Sequence, residues 1–487
     1  MSIGRTSVLL VPLAVGARTV AFFVPIAIAH WYGVQRATDA FWWALSVPTF
    51  LLVLGATTMG TVVVPPLAEL RERRPDRVGP FLGGALAGAF AIATGIGVLF
   101  AAVAPVALPR LTAFDAETRD LAAAYCWALL PFLASVGVNA VLKSANEVHG
   151  RFAGPAAGPF VRAGVALGTL ALARDTGPMA LPLGVGAGNL AETAWLWWNL
   201  RAAGVRVTRS RGVPPELVAA AVAFGPVLGG ETMVALNILV DKLFAGFLDP
   251  GSVSLLEYAD RARMIPQTIL ESTLSVVAFN AWAAARARGD ESARKAAVAT
   301  SLWWIVLLAP PVLAGMWIGR VALIRMLYEG GVFEPRWTGT TAAVLGAFVP
   351  GVFFSLLGAL VVRAHIVDGR TGLVLRLGIV SFVLNASLNA LLMPRFGLLG
   401  LAASTTITGA IVTSVSFAML VPRIRGAVPA RALRDAAIFA GMAVALAIGA
   451  ATAGFAPASV GEAGLWMAAL PCVALLGAGA WRARTGP

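Results

Sequence analysis

The sequence predicts an all-α polytopic membrane protein of about 14 transmembrane helices, arranged as two six-helix repeats plus two C-terminal helices. Composition is the first reason. Of the 487 residues 59% are hydrophobic and 13% are charged, whereas about a quarter of residues in soluble domains are charged. The mean hydropathy of +0.82 is the second, and a chain-long series of apolar runs is the third. Each run is long enough to cross about 30 Å of hydrocarbon.

Each predicted span is an apolar run that ends at charged or turn-forming residues. In chain order the spans cover residues 7–30, 40–67, 79–109, 121–146, 152–173, 178–200, 215–248, 253–285, 296–328, 338–364, 371–393, 397–421, 432–454 and 461–481. We expect an N-terminal six-helix lobe at 1–205, a second lobe at 206–425 and two additional helices at 426–487.

The second lobe repeats the first at an offset of about 218 residues. Ala44, Val47 and Pro48 align with Ala262, Ile265 and Pro266. The segment Val-Ala-Leu-Pro-Arg-Leu at 106–111 aligns with Val-Ala-Leu-Ile-Arg-Met at 321–326, and Gly150-Arg151 with Gly369-Arg370. Because six spans per lobe is an even number, both lobes have the same orientation, and a pseudo-two-fold axis along the membrane normal relates them.

Basic residues concentrate in alternate loops, which predicts the orientation. The clusters are Arg71, Arg73, Arg74 and Arg77; Arg206, Arg209 and Arg211; Arg286, Arg288, Arg294 and Lys295; and Arg423, Arg425, Arg431 and Arg434. Placing them in the cytoplasm puts both termini there. The net charge of +13 then reflects topology and attraction to anionic membrane lipids. A nucleic-acid partner is not needed to explain it, because the charges are scattered over separate loops.

A few charged residues fall at membrane depth, where each costs about 3 kcal/mol unless it is paired or hydrated. Most lie on the first two spans of each lobe, which suggests one polar cavity between the lobes: Arg18, Asp39, Glu231, Asp241, Lys242, Asp260, Arg261, Arg263 and Glu271. The alternative is structural pairing, although neighbours such as Asp260 and Arg261 point about 100° apart on a helix. Structural pairing is the favoured interpretation for Arg162 and Glu192, and Arg376 is a further isolated charge.

Enzymatic chemistry is not indicated. The three histidines, His30, His149 and His365, have no partners at metal-ligand or nucleophile spacing, and no cofactor motif is present. Cys126 and Cys472 lie within apolar runs, as structural thiols do.

Two segments carry a resemblance to a known family. The run Ala37-Thr38-Asp39-Ala40-Phe41, with Pro48 and the stretch Val64-Pro65-Pro66-Leu67-Ala68-Glu69, resembles the second helix of the MurJ (MviN) lipid II flippases. The run Gly251-Ser252-Val253-Ser254, then Tyr258-Ala259-Asp260-Arg261 and Pro266, is similar to their eighth helix. The family belongs to the multidrug/oligosaccharidyl-lipid/polysaccharide exporter superfamily.

The resemblance implies a flippase of the bacterial cytoplasmic (inner) membrane in peptidoglycan biosynthesis. It would move a polyprenyl-diphosphate-linked glycan, lipid II or a relative, to the outer leaflet by alternating access. Arg18 and Arg261 fall on arginines of the family's cavity, and Asp39 and Asp260 on its acidic positions. Glu231, Lys242, Arg263 and Glu271 complete the expected substrate-binding set. Two arginines of the family are replaced at Val24 and Leu52; Pro25 and Thr57 replace acidic residues.

These replacements leave alternatives open. A cavity with fewer arginines also suits a cation-coupled drug/cation antiporter of the superfamily, and a transport-inactive scaffold for envelope-synthesis proteins is the other alternative. The family's sodium site falls on Asp241, Asn385, Asn389, the Leu401 carbonyl and Thr405. Hard oxygen ligands with one negative charge suit a monovalent cation, with H⁺ as the other coupling ion. Hydrogen bonding between packed helices would explain the same residues.

Overall fold

The computed structural model describes residue 16, residues 20–210 and residues 212–424, with the backbone alone at 56–59, 61, 269, 271–281 and 283–287. The chain divides into two compact units, one ending at Ser254 and the other beginning at Leu255. Over the described residues the structure is helical, and the one β-type pairing recorded there is a bridge between Gly330 and Phe333. The predicted all-α class is confirmed.

The first unit contains eleven described helices and the start of a twelfth. They are α1 (Val20–Tyr32), α2 (Arg36–Ala44), α3 (Ser46–Val62), α4 (Val64–Arg73), α5 (Val78–Leu111), α6 (Ala116–Ala128), α7 (Leu130–Val148), α8 (Ala153–Ala173), α9 (Ala180–Ala202), α10 (Pro215–Ala223) and α11 (Gly225–Ala245). Short 3₁₀ turns lie at Pro75–Arg77 and Arg174–Thr176.

The second unit continues from α12 (Ser252–Ala287), which begins in the first unit. It contains α13 (Glu291–Ile318), α14 (Arg320–Tyr328), α15 (Arg336–Val367), α16 (Thr371–Phe396) and α17 (Leu398–Ile424). In this unit α15 and α16 both pack against α17, and α13 packs against α15.

Seven helical stretches of the described chain are long and apolar enough to cross a membrane, and nine if each of two bent pairs is one span. Most predicted spans from 79 to 421 agree with the helices within a few residues, for example 152–173 with Ala153–Ala173 and 371–393 with Thr371–Phe396. The span 40–67 instead covers parts of α2, α3 and α4, and the span 296–328 covers α13 and α14. The spans 432–454 and 461–481 lie outside the described residues. The total of fourteen therefore stays a prediction, as do the lobe boundaries.

Prolines explain the two bent pairs. Helices α6 and α7 meet at 42°, and α10 and α11 meet at 71°. Pro131 and Pro226 lie in the first turns of α7 and α11. A proline there is tolerated because the first turn needs no N–H donor, but it cannot extend the hydrogen-bond ladder of the preceding helix. Each of these two predicted spans, 121–146 and 215–248, therefore consists of two helices separated by a break.

Both units build the same turn, which supports the duplication. Gly150 and Gly369 have φ values of +74° and +77°, a conformation that favours glycine. In the first unit Asn146 donates to the Leu196 carbonyl at 3.1 Å. In the second, His365 Nε2 lies 3.1 Å from the Ser416 carbonyl oxygen. The arginine after each glycine also donates to a backbone carbonyl: Arg151 to that of Ala202 in α9, and Arg370 to that of Met419 in α17.

Candidate functional site

Asp39, predicted to line the cavity, binds the start of α12 within the first unit. It is 1% exposed, and its Oδ1 accepts hydrogen bonds from the Ser254 backbone N–H at 2.8 Å and the Ser254 hydroxyl at 2.6 Å. The Gly251 N–H donates to Oδ2. An anionic group at a helix N-terminus satisfies unpaired N–H donors and interacts favourably with the helix dipole. Asp39 therefore fastens α2 to the beginning of α12.

Ser254 also donates towards Thr38 Oγ1 at 3.0 Å, so two consecutive residues of α2 hold it. Ser254 was not among the predicted site residues and belongs to the segment that resembles the eighth helix of the family. The signal that identifies it is the pair Ser252 and Ser254 after Gly251, since serines cluster where helices begin. Lys242 of α11 is 6% exposed and attracts Asp39 electrostatically, so this polar centre is not purely acidic.

Helix α11 packs against α3 and carries two further predicted charges. Glu231 and Asp241 are half-buried, and each of them interacts with other residues. Leu52, which replaces an expected arginine, lies half-buried on α3, and Val24 lies half-buried on α1. The first unit thus has apolar side chains at both of those positions.

In the second unit the charges of α12 pair along the helix rather than between neighbours. Arg261 Nε donates to Glu257 at 2.6 Å, and Arg263 pairs with Asp260 at 2.6 Å. The Arg263 guanidinium also lies 5.0 Å from the centre of the Phe348 ring. Spacings of three and four residues bring side chains together on a helix, so the partner of Arg261 is Glu257, which was not among the predicted site residues.

Three of the five predicted sodium ligands come together in the second unit. Asn389 Oδ1 accepts a hydrogen bond from the Ser404 hydroxyl. The Leu401 carbonyl accepts from Ser404 at 2.8 Å and from Thr405 at 3.1 Å. Asn385, one turn before Asn389, is 1% exposed. The structure adds Ser404 to this oxygen-rich cluster, and Asp241 lies in the first unit.

Two predicted substrate residues are not described in full. Arg18 lies outside the described residues, and of Glu271 the backbone alone is described, within α12. The predicted pair Arg162 and Glu192 is present, with 3.1 Å between Arg162 Nη1 and Glu192 Oε2. Lys143 joins this pair, with its Nζ 2.8 Å from Glu192 Oε1. Lys143 was not among the predicted charges at membrane depth, although it lies within the predicted span 121–146.

Comparison with known proteins gives one consistent result. The family model described as "Lipid II flippase MurJ" matches residues 28–471. A "Probable lipid II flippase MurJ" of Haemophilus influenzae is 25% identical over 427 residues, 80% of this chain and 81% of that protein. One of Rickettsia prowazekii is 25% identical over 193 residues, which cover 40% of this chain but only 38% of that protein.

Solved structures share the fold. A structure titled "Lipid II flippase MurJ, inward closed conformation" superposes with a TM-score of 0.81 and 18% identity over 98% of this chain and 99% of the other. A multidrug resistance MATE family transporter of the MOP superfamily, in an inward-facing conformation, gives a TM-score of 0.71 and 13% identity, over 84% of this chain and 94% of the other. At these identities the likeness shows the fold.

Proposed function

The chain belongs to the MurJ family of lipid II flippases, and from this premise we propose that it moves a polyprenyl-diphosphate-linked glycan from the cytoplasmic to the outer leaflet by alternating access. The substrate is lipid II or a related lipid-linked precursor. The protein is an integral membrane protein; its place is the bacterial cytoplasmic membrane with both termini inside. It acts as a transporter and not as an enzyme, alongside proteins of envelope synthesis.

The observation that carries the mechanism is the bond between Asp39 and the start of α12. It consists of three hydrogen bonds from Gly251 and Ser254 to one buried carboxylate. Such bonds are strong when water is excluded, yet they break without any covalent change once water enters. Alternating access needs a contact of this kind, one that closes the outer side in one state and opens in the next. Asp39 is the proposed outer latch.

Binding of the substrate falls to the cationic residues. Arginine binds phosphate oxygens in pairs and stays charged in the membrane. Arg261 uses its Nε for Glu257, which leaves its two terminal nitrogens for phosphate. Arg18, Lys242 and Arg263 are the other proposed contacts. Asp260 holds Arg263 in place, and Glu231 and Glu271 complete the proposed substrate-binding set.

For coupling we propose Na⁺ bound by Asp241, Asn385, Asn389, the Leu401 carbonyl and Thr405. The support is the buried oxygen cluster that contains Asn389, Leu401 and Thr405. Oxygen ligands with a single carboxylate match a monovalent ion in charge. Ser404 is a further candidate ligand, because its hydroxyl oxygen lies between Asn389 and the Leu401 carbonyl.

The test is a flipping assay with purified protein in proteoliposomes that contain lipid II. Asp39→Asn removes the charge that the α12 N–H groups bind, and we expect at least a tenfold loss of flipping with the protein still folded. Asp249→Asn, an exposed acid just before the same helix, is the matched control and should flip at the wild-type rate. Wild-type flipping by Asp39→Asn would refute the latch, and no flipping by the wild-type protein would refute the function.

A further inference from the structure

An ionic cluster lies inside the first unit, apart from the latch and the charges of α11 and α12. Glu192 of α9 is 0% exposed. Its Oε1 lies 2.8 Å from the Lys143 ammonium of α7, and its Oε2 lies 3.1 Å from the Arg162 guanidinium of α8. We call these three residues the ionic triad. Three helices therefore meet at one buried carboxylate.

Arg162 and Glu192 of the triad lie at membrane depth, whereas Lys143 lies five residues from the end of α7. Arg162 is nine residues from the start of α8 and Glu192 ten residues from the end of α9, so each is roughly 14 Å from a helix end at 1.5 Å per residue. Gly158 makes room for the carboxylate, because a Cβ there would lie 2.7 Å from Glu192 Oε1. The carboxylate thus sits in a space where helix α8 has no side chain.

The charges of the triad do not balance. Two cations face one carboxylate, which leaves one positive charge in excess. The carboxylate is fully buried, while the Lys143 and Arg162 side chains keep 29% and 24% of their surface exposed. Lysine has three N–H donors and arginine five, and Glu192 takes one contact from each. A cation exposed at this depth needs water or an anion as a further partner.

A cavity of about 570 Å³ lies one turn further along α7. Glu147 and Val148 of α7, Arg71 of α4 and Phe152 line it, together with Val64, Ala68 and Glu72. Glu147 follows Lys143 by four residues and is attracted by it electrostatically. Because Glu147 is exposed, water weakens this attraction, and the excess positive charge at Lys143 and Arg162 is only partly offset. The cavity therefore opens one helical turn from Lys143, although neither Lys143 nor Arg162 lines it.

The second unit builds the equivalent helices without a triad. Counting from Gly150 and Gly369, the positions that correspond to Lys143, Arg162 and Glu192 are Val362, Ser381 and Ile411. The turn between the two equivalent helices has the same geometry in both units. The helical repeat therefore forms without these charges, which argues that the triad serves binding rather than folding.

We propose that Lys143 and Arg162 form a phosphate-binding site for the diphosphate of the transported lipid, with Glu192 as the positioning residue that holds both cations. This inference rests on the proposed function and adds a second contact region on α7 and α8. The site takes over part of the phosphate binding that the apolar residues Val24 and Leu52 cannot provide. Glu192 itself repels the substrate and so keeps binding weak enough for release.

The experiment measures binding of undecaprenyl diphosphate to the full-length protein in nanodiscs of zwitterionic phosphatidylcholine. Lys143→Gln and Arg162→Gln should each weaken binding at least about tenfold, as expected for the loss of a charge-assisted hydrogen bond. Lys143→Arg should keep the wild-type affinity. Glu192→Gln should bind the lipid at least as tightly as wild type but flip lipid II more slowly. Arg174→Gln, an exposed arginine at the end of α8, is the matched control.

Two results would overturn the inference. One is unchanged affinity in both glutamine variants, and the other is weaker binding in Glu192→Gln, which a purely structural triad predicts. Wild-type protein that flips lipid II while both glutamine variants keep full affinity would reject this site alone. Wild-type protein that neither binds nor flips the lipid would reject the proposed function with it.

Chemical labelling keeps the test decisive if a variant does not fold. The chain has three lysines, Lys143, Lys242 and Lys295. Undecaprenyl diphosphate should slow acylation of Lys143 in wild-type protein and leave acylation of Lys295, near the start of α13 in the second unit, unchanged. Inorganic diphosphate should protect more weakly, since it lacks the lipid tail. Protection by phosphatidylglycerol alone, without protection by the diphosphate lipid, would assign the site to bilayer lipid and overturn the proposal.

Discussion

The polar centres of the two units differ in charge although their helices correspond. In the first unit α7, α8 and α9 enclose Lys143, Arg162 and Glu192, three ionised groups with one positive charge in excess. In the second unit α16 and α17 enclose neutral oxygen groups at Asn389, Ser404 and the Leu401 carbonyl. An excess of cations suits a phosphate, and neutral oxygens suit a small cation. One duplicated fold can thus present opposite ligand chemistry in its two copies.

The largest expected effect comes from breaking the charged centre. Glu192→Ala leaves two cations without their buried partner, and removal of one partner of a buried pair costs about 3–5 kcal/mol. We expect a large fall in the unfolding temperature of the purified protein, measured by intrinsic fluorescence.

A triple variant sharpens this comparison. Lys143→Val/Arg162→Ser/Glu192→Ile copies the residues of the second unit into the first. Apolar replacement of a complete buried ion cluster is often neutral for stability, so most of the lost stability should return while the affinity for undecaprenyl diphosphate stays low. If the triple variant is as unstable as Glu192→Ala, the first unit needs the charges for folding.

The second expected effect concerns the neutral centre. Na⁺ bound there should stabilise the wild-type protein, by about 2.7 kcal/mol at an ion concentration 100 times the dissociation constant. Replacing KCl with NaCl should therefore raise the unfolding temperature, and Asn389→Ala should abolish the rise. The control is Asn199→Ala, which removes a half-buried amide bonded to the Trp195 carbonyl in the first unit. This variant should keep the rise in unfolding temperature with NaCl. A sodium effect that survives in Asn389→Ala would exclude this cluster.

The sequence predicted the helices far better than the pairing of their charges. Apolar length determines a span, so the limits of α8 and α16 were predicted within a few residues. The breaks before Pro131 and Pro226 were not, because composition is the same on both sides of a bend. Arg261 was considered beside Asp260, whereas its partner is Glu257, one turn back. Lys143 was missed because a lysine near a helix end is usually only interfacial. Contacts among α7, α8 and α9 depend on how each helix is rotated about its own axis, and the limits of a membrane span do not specify that rotation.

A smaller effect is expected from two glycines that touch different polar groups. A Cβ at Gly158 would lie 2.7 Å from the Glu192 carboxylate, and a Cβ at Gly358 would lie 2.7 Å from the Thr413 hydroxyl. Overpacking costs typically 1–3 kcal/mol. Two ion pairs fix the carboxylate, whereas a single hydrogen bond to Phe354 holds the hydroxyl. Gly158→Ala should therefore lower the unfolding temperature more than Gly358→Ala, and the reverse order would show that the triad adjusts freely.

The smallest effect is expected at two helix starts outside the membrane. Asp290 accepts a hydrogen bond from the Ala293 N–H at 2.9 Å, and this bond, with one from Ser292, holds the pKa of Asp290 below its usual value. Hydrogen bonds from Thr118 and attraction by Arg36 lower the pKa of Asp115 in the same way. A carboxyl whose pKa is lowered by folding stabilises the protein above its unfolded pKa of about 3.9, and this contribution disappears as the pH falls through the folded value.

Asparagine caps a helix about as well as aspartate, so Asp290→Asn and Asp115→Asn remove the charge and keep the cap. At pH 7 each variant should unfold at a slightly lower temperature than wild type. The difference should shrink as the pH falls below about 3.9 and vanish once the pH is below the folded pKa. The difference should be larger for Asp115, which also forms an ion pair with Arg36 at 2.8 Å, and added salt should reduce that excess. A difference that persists at low pH would mean that cap geometry, and not charge, stabilises these helix starts.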